Sequence, residues 1–189
     1  NATDGSSPRA PTRAALDRFR EIFGHDPKVG AAHAGNREAL YCAPRRLSGW
    51  WSAGYAAAQR VRQPHRPRFS GEVPTSPYFW GDLCRERITY WRGLTFGEAN
   101  LLRVCPVLPY HDPARPYVNY WFPSSDAPRR DQLVELLDGG RMGRLEAEGG
   151  VCVVYAHLGL DAVEDGRVHP EPARRLGDLR RRDGWFAPV

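Results

Sequence analysis

The chain has 189 residues, of which 41% are apolar and 26% are charged, as in ordinary globular proteins. That length allows one domain with a substantial core, and no run approaches the roughly 18 apolar residues of a membrane-spanning helix. The net charge of +5 is the balance of 26 arginines and a single lysine against 22 acidic residues. Because the arginines are spread along the chain beside abundant alanine, they indicate a biased genome, and we expect no nucleic-acid partner.

The first elements in chain order are a helix and a short strand. Apolar residues between Ala15 and Phe23 recur on one helical face, after a cap at Ser7 or Thr12, and Gly24 ends this helix. A strand of small residues, Val29 to His33, then ends on a histidine. Asn36 follows on a predicted loop.

A proline-poor segment and a proline-rich segment come next. Residues 47–61 predict a short helix. Residues 62–77 contain four prolines, which make regular structure improbable and favour either a loop that covers a site or a surface excursion.

A dense aromatic patch, which includes Tyr78 and Trp80, ends at the carboxylate of Asp82. Flat aromatic faces combined with carboxylates are typical of sugar-binding sites, although core packing is the commoner use of aromatic residues. Asp82 is placed to cap a helix over residues 83–92. Thr95 and Glu98 then fit the capping box of a second helix.

The middle of the chain predicts a constrained loop, a strand and a helix. His111 and Asp112 lie between prolines and form either a preset pair or a turn. Residues 117–122, with Tyr120 and Trp121, predict a strand. Residues 124–126 resemble the cap of a following helix, which Leu133, Leu136 and Leu137 line and Gly139 ends.

The stretch from Gly149 to His157 is the clearest strand. Its apolar run, rich in β-branched residues, predicts a strand buried on both faces within a parallel sheet. Since chemistry gathers where the strands of a parallel barrel end, His157 and His33 are expected at the same end of the sheet. The alternative is that each histidine only forms local hydrogen bonds at the end of its strand and has no catalytic or binding role. Beyond it we predict a turn-rich loop over 163–170, a helix over 172–182 and a last strand over 185–189.

Strands that alternate with helices predict one α/β domain over 1–189, with parallel strands closed or partly closed into a distorted (β/α) barrel. An open doubly wound sheet is the alternative. No glycine-rich phosphate loop follows a strand, which disfavours P-loop kinases and dinucleotide oxidoreductases. No Gly-x-Ser-x-Gly motif is present, which disfavours a serine hydrolase.

Several segments together resemble the polysaccharide deacetylase family, the NodB-homology group. The resemblance rests on Val153-Val154-Tyr155-Ala156-His157-Leu158-Gly159, on Asp183-Gly184-Trp185-Phe186-Ala187-Pro188-Val189, and on the middle block from Ser76 through His111 to Phe122. It is most specific over roughly the last 45 residues and indicates a divergent bacterial branch. Since the chain lacks an initial methionine and its last residues read as an interrupted strand, we expect a domain trimmed at both ends, with the compartment left open between cytoplasm and cell envelope.

The resemblance implies a metal-dependent hydrolase that removes acetyl groups from a sugar or glycan. It implies a divalent metal, commonly zinc, with Asp4, His33 and His111 as the candidate ligands. His157 matches the late-motif histidine that protonates the leaving group, and Asp82 is the candidate base. The candidate substrate-binding residues are Asn36, Tyr78, Trp80, Tyr120 and Trp121. The alternative is a non-catalytic glycan-binding barrel that has lost the metal site.

Overall fold

The computed structural model describes residues 5–31, 35–42, 46, 50, 54 and 69–187. The helices are Arg9–Phe23 (α1), Gly81–Arg87 (α2), Arg130–Leu136 (α3), Gly139–Ala147 (α4), Leu158–Asp161 (α5) and Pro170–Leu179 (α6), with a 3₁₀ turn at Leu101–Arg103. The strands are Val29–Ala31 (β1), Tyr90–Phe96 (β2), Tyr120–Asp126 (β3), Val154–Tyr155 (β4), Val163–Glu164 (β5) and Arg167–Val168 (β6).

The first four strands form one sheet in the order β1-β2-β3-β4, and β5 pairs with β6 in an antiparallel hairpin. Strand β1 pairs with β2 in parallel, with Gly30 opposite Trp91. Strand β3 pairs with β4 in parallel, with Asp126 opposite Tyr155. The predicted α/β class with parallel strands is therefore confirmed, and this sheet is compatible with a partial barrel.

By its internal contacts the chain divides into two compact units. The first comprises Asn1–Arg92 and His111–Trp121, and the second comprises Gly93–Tyr110 and Phe122–Val189. Strands β2 and β3 each begin in the first unit and end in the second. One domain over the whole chain stays a prediction.

Helix α1 of the first unit confirms the predicted helix. It ends at Gly24, whose left-handed backbone (φ 74°) lets its N–H donate to the carbonyl of Arg20 at 2.8 Å. Only Leu16 of the predicted apolar face is buried. The ring of Phe19 instead packs on that of Phe23, with 4.5 Å between centroids, and both rings lie near His25.

The pairing of β1 with β2 depends on a close approach of a tryptophan to a glycine. Trp91 is buried, and a Cβ atom at Gly30 would lie 2.3 Å from its Cζ3 atom. The same indole lies 5.5 Å, centroid to centroid, from that of Trp80. A residue without a side chain is therefore required at this point of β1.

The core of the second unit is built on α3, as its pattern predicts. Leu133, Leu136 and Leu137 are buried in one cluster with Ala99, Ala127 and Met142. The predicted role of Gly139 is wrong, since Gly139 begins α4 rather than ending α3. Asp138 caps α4 by accepting a hydrogen bond from the N–H of Gly140 at 2.8 Å, which makes a new helix start here.

The helix predicted over 83–92 is only partly right, and the helix predicted from Thr95 onward is wrong. Helix α2 ends at Arg87, and the β-branched and aromatic residues that follow form β2, which contains Thr95. The N–H of Tyr90 donates to the carbonyl of Lys28 at 2.8 Å, so pairing with the β1 segment replaces helical bonds. Asn100, rather than Thr95, caps the 3₁₀ turn.

The strand predicted over 117–122 is shifted to 120–126, and the residues predicted as a helix cap belong to it. Ser124 and Ser125 are wholly buried within β3. Helix α3 begins only after Arg129, whose N–H donates to Oε1 of Gln132 at 3.1 Å. Strand β3, rather than the Gly149–His157 stretch, is the buried strand of the sheet.

The expectation that residues 151–154 are buried between two strands is wrong. Only Val154 and Tyr155 pair as a strand, at the end of the sheet order. Val151 and Val154 are 38% and 43% exposed. Among the described strands, β4 is at the edge of the sheet and pairs only with β3. Its outer side therefore has no neighbouring strand to bury it.

The predicted elements after β4 are partly right. The 163–170 loop contains the β5–β6 hairpin, and α6 begins at Pro170 instead of Pro172. Residues 185–187 form no strand, and Trp185 is 92% exposed. Most of the predicted helix over 47–61 and much of the 62–77 loop lie outside the described residues, while residues 50 and 54, which are described, are helical. Within the described part of the chain, no helix is long and apolar enough to span a membrane.

We predict that Gly30→Ala lowers the free energy of unfolding by about 2 kcal/mol or more, because the added methyl group overlaps the Trp91 ring. Gly143→Ala is the matched control: it lies inside α4 with open space around its Cα, and it should stabilise the protein by up to about 1 kcal/mol. Urea unfolding measures both. Equal effects of the two substitutions would contradict the packing described for β1.

Candidate functional site

His157 lies two residues after the end of β4, at Tyr155, and is the N-cap residue of α5. Its N–H donates to the carbonyl of Pro128 at 3.3 Å, while its carbonyl accepts from the N–H of Leu160 at 3.0 Å. The imidazole is exposed, and its Nε2 atom lies 2.9 Å from the hydroxyl oxygen of Tyr155. The two rings meet edge to face, with 4.9 Å between centroids.

Within the described residues, no carboxylate bonds to the His157 ring. The side-chain hydrogen-bond partner of the ring there is the Tyr155 hydroxyl, which either donates to Nε2 or accepts from it. A phenol fixes the ring position without adding a negative charge. Since the other ring nitrogen, Nδ1, makes no hydrogen bond within the described part of the chain, it stays accessible to a ligand.

Asp82 lies in the first turn of α2 and is held by Arg9. Its two carboxylate oxygens accept from Nη1 and Nη2 of Arg9 at 2.6 and 2.7 Å, and Oδ1 also accepts from the N–H of Leu83 at 2.9 Å. The hydrogen bond from Arg9 is the largest cause of a lowered pKa for Asp82. A carboxylate bound in this way is a weaker proton acceptor, and its role as a base stays a prediction.

Three predicted substrate-binding residues lie together around residues 36–38 of the first unit. The indole N–H of Trp80 donates to the carbonyl of Glu38 at 2.6 Å, and the side-chain amide of Asn36 donates to Oε1 of Glu38 at 3.0 Å. The guanidinium of Arg37 lies 5.7 Å from the centroid of the Tyr78 ring. Trp80 is buried in this arrangement, whereas Asn36 and Tyr78 are partly exposed.

Trp121 is 1% exposed, so neither face of its indole is open to a sugar in this structure. The guanidinium of Arg46 lies 3.7 Å from the ring centroid, and the ring of Tyr41 meets it at 6.1 Å. Tyr41 also adopts a positive φ of 50°, which is uncommon for an aromatic residue. The role of Trp121 in substrate binding stays a prediction, and packing with Tyr41 and Arg46 accounts for the burial of its indole.

His111 and Asp112 have separate partners. The Nδ1 atom of His111 lies 2.8 Å from the carbonyl oxygen of Asn119. Asp112 instead bonds to Arg115 and lies 3.5 Å from Nη1 of Arg46. The adjacent residues therefore form no His–Asp couple.

The ring of His111 belongs to an exposed aromatic group with Tyr90 and Tyr120. The centroid of the Tyr120 ring lies 6.4 Å from that of His111 and 6.1 Å from that of Tyr90. Tyr90 and Tyr120 are 37% and 45% exposed and are the first residues of β2 and β3. The sequence prediction missed Tyr90 by placing it in a helix, although its β-branched and aromatic neighbours favour a strand.

The predicted metal site is only partly covered by the described residues. Asp4 and His33 lie outside them, and so does the test of whether His33 and His157 share one end of the sheet. Within the described ranges, no three His, Cys, Asp or Glu side chains form a group suited to a metal ion. Since two of the three candidate ligands lie outside these ranges, the zinc site stays a prediction.

Comparison of the chain with protein-family models, curated proteins and solved structures found no match.

We predict that Tyr41 makes the protein less stable as the pH rises above 10. Burial raises the pKa of Tyr41 to about 12, against about 10 in an unfolded chain. Between these values the unfolded state has lost a proton that the folded state keeps, so the free energy of unfolding falls by up to about 1.4 kcal/mol per pH unit.

Urea unfolding of the protein and of Tyr41→Phe between pH 9 and 11 measures this effect. The alkaline loss should be smaller in Tyr41→Phe and unchanged in Tyr120→Phe, which alters an exposed ring. Parallel curves for all three proteins would show that Tyr41 ionises as easily folded as unfolded.

Proposed function

We propose that this protein is a NodB-like hydrolase that removes acetyl groups from a sugar or glycan, with His157 as the general acid. The observation that carries the proposal is the exposed imidazole of His157, two residues beyond the end of a strand of a parallel sheet. The resemblance of the last 45 residues to the family supports it from the sequence side.

The surroundings of His157 fit proton transfer better than a packing role. The ring is exposed, so it adds little buried area to the fold. The Tyr155 hydroxyl holds Nε2 at 2.9 Å and leaves Nδ1 facing solvent. A positioned imidazole is suited to protonate the amine or alcohol that leaves when an acetyl group is removed.

The metal is included in this proposal only because the resemblance to the family implies it. A divalent ion of the family's kind, for which Asp4, His33 and His111 are the candidate ligands, would supply an activated water. Since the described residues hold no fitting donor set, the steps assigned to this chain are the proton transfer by His157 and the positioning of its ring by Tyr155.

We predict that His157→Ala lowers the turnover of an acetylated oligosaccharide by roughly two to four orders of magnitude, the usual effect of losing a general acid. Its melting temperature should stay within about 2 °C of the parent, because the side chain is exposed. His25→Ala, which removes another exposed histidine, is the control and should keep full turnover.

Acetate release and thermal melts on the same preparations, with zinc and other divalent ions added in turn, give the answer. A parent protein that releases no acetate under any of these conditions, with a destabilised His157→Ala variant, would contradict the catalytic proposal.

A second candidate function is glycan binding without catalysis, and the exposed Tyr90–Tyr120 pair favours it. Adjacent aromatic rings on neighbouring strands offer apolar faces on which sugar rings stack. The His111 ring beside Tyr120 adds a polar group, since Nδ1 is engaged by Asn119 and Nε2 is left for a sugar hydroxyl. This platform needs no metal.

We predict that Tyr120→Ala weakens the binding of an oligosaccharide ligand by about two- to tenfold, the effect of one lost stacking contact. Phe186→Ala removes an exposed aromatic ring elsewhere and should leave the affinity unchanged. Calorimetric titration measures both. Equal affinity of the parent and Tyr120→Ala would remove the platform from consideration.

A further inference from the structure

Asp126 is the last residue of β3, and neither proposed function uses it. In the parallel pair it lies opposite Tyr155, the last residue of β4. Residues that face each other on two neighbouring strands have their side chains on the same face of the sheet, and such strands are about 5 Å apart. Asp126 is therefore the neighbour of the tyrosine whose hydroxyl oxygen lies 2.9 Å from Nε2 of His157.

The carboxylate of Asp126 makes no hydrogen bond or ion pair within the described part of the chain, and the residue is partly buried. Other aspartates of the second unit are engaged. Oδ1 of Asp161 accepts from the N–H of Arg130 at 2.7 Å, and Oδ1 of Asp138 accepts from the N–H of Gly140 at 2.8 Å. The oxygens of Asp126 can therefore accept hydrogen bonds from a ligand without breaking a bond of the fold.

Backbone hydrogen bonds hold the ends of β3 and β4 together. The N–H of Ala127 donates to the carbonyl of Tyr155 at 2.9 Å, and the N–H of His157 donates to the carbonyl of Pro128 at 3.3 Å. A carboxylate, a phenol and an imidazole are thereby supplied from the carboxyl ends of two neighbouring strands. In α/β folds with parallel strands, ligands bind at this edge of the sheet.

We propose that Asp126 is a substrate-binding residue, whose carboxylate accepts hydrogen bonds from hydroxyl groups of the sugar that carries the acetyl group. This role rests on the proposed hydrolase function of His157. An ionised carboxylate has acceptors only, and a sugar hydroxyl is a donor that it can take. A hydrogen bond to a charged acceptor is about twice as strong as one between neutral groups, so Asp126 fixes which hydroxyl of the sugar lies beside the imidazole.

NMR titration with an oligomer of N-acetylglucosamine tests this role, with the chemical shifts of the His157 ring nitrogens as the readout. Because His157 lies at the end of β4, these shifts report binding at this edge of the sheet. We expect Asp126→Ala to weaken the binding at least tenfold. Asp183→Ala removes an exposed aspartate after α6 and is the control, whose affinity should stay within twofold of the parent.

Asp126→Asn separates hydrogen bonding from packing. It keeps the shape of the side chain and one acceptor oxygen but loses the charge, so it should weaken binding by about threefold or more and by less than Asp126→Ala does. It also serves as the test variant if Asp126→Ala fails to fold. Equal affinity of the parent and Asp126→Asn, together with equal affinity of any folded Asp126→Ala, would overturn the role of Asp126.

Acetate release by the same variants separates this role from the hydrolase activity. In Asp126→Ala the KM should rise while kcat stays within about threefold of the parent, whereas His157→Ala lowers kcat. A parent that binds the oligomer through Asp126 but releases no acetate would support the binding role and contradict the hydrolase. A parent that releases acetate, with unchanged KM in both Asp126 variants, would overturn the binding role alone. A parent without saturable shifts at His157 would also overturn it.

Discussion

The burial of β3 is the constraint on which the sheet depends. Residues 121–125 of this strand are all buried, and β3 lies between β2 and β4 in the strand order. Ser125 satisfies its side chain in this setting, since Oγ lies within 3.5 Å of the carbonyl of Ala99 and within 3.4 Å of the thiol of Cys152. The hydroxyl of Ser124 has no partner within the described residues, so its burial is carried by the packing around it.

The ladder from β3 also fixes the candidate catalytic histidine. The N–H of Ser125 donates to the carbonyl of Val153 at 2.7 Å, and the N–H of Ala127 donates to the carbonyl of Tyr155 at 2.9 Å. These two bonds fix β4 as far as Tyr155, whose hydroxyl contacts the His157 ring. Backbone hydrogen bonds to a buried strand thus determine the position of the imidazole. Its Nε2 atom contacts the Tyr155 hydroxyl, and its Nδ1 atom makes no hydrogen bond within the described residues. This combination of a rigid support and an accessible side chain is what a proton-transferring residue requires.

Much of the local structure could be predicted from the sequence, because it depends on neighbours in the chain. Helix α1 with its glycine end, and the buried face of α3 at Leu133 and Leu136, follow from periodicity and glycine conformation. The displacement of β3 could not be predicted, since Pro123, Ser124 and Ser125 have the composition of a turn and are held in a strand by their neighbours in the sheet. The composition of a strand likewise does not determine whether it lies at the centre or at the edge of a sheet. For this reason the apolar run at 151–154 was wrongly predicted to be a buried strand.

The candidate site was harder to predict for the same reason. The pairing of Arg9 with Asp82 joins residues 73 positions apart, and that of Arg46 with Trp121 joins residues on distant segments. Such contacts decide whether a carboxylate is basic or an indole accessible, and the spacing of residue types does not contain them. The strand predicted to end on His157 ends at Tyr155, so His157 lies two residues beyond it, and its catalytic role stays a prediction.

The central claim is that His157, rather than the exposed aromatic pair of the first unit, meets the reacting part of an acetylated sugar. Nitrogen-detected NMR of the imidazoles during titration with an N-acetylated oligosaccharide tests it directly. We expect saturable changes in the chemical shifts of the His157 ring nitrogens, with those of His25 unchanged. Shifts confined to His111 and the rings of Tyr90 and Tyr120, with His157 unaffected at saturation, would contradict it.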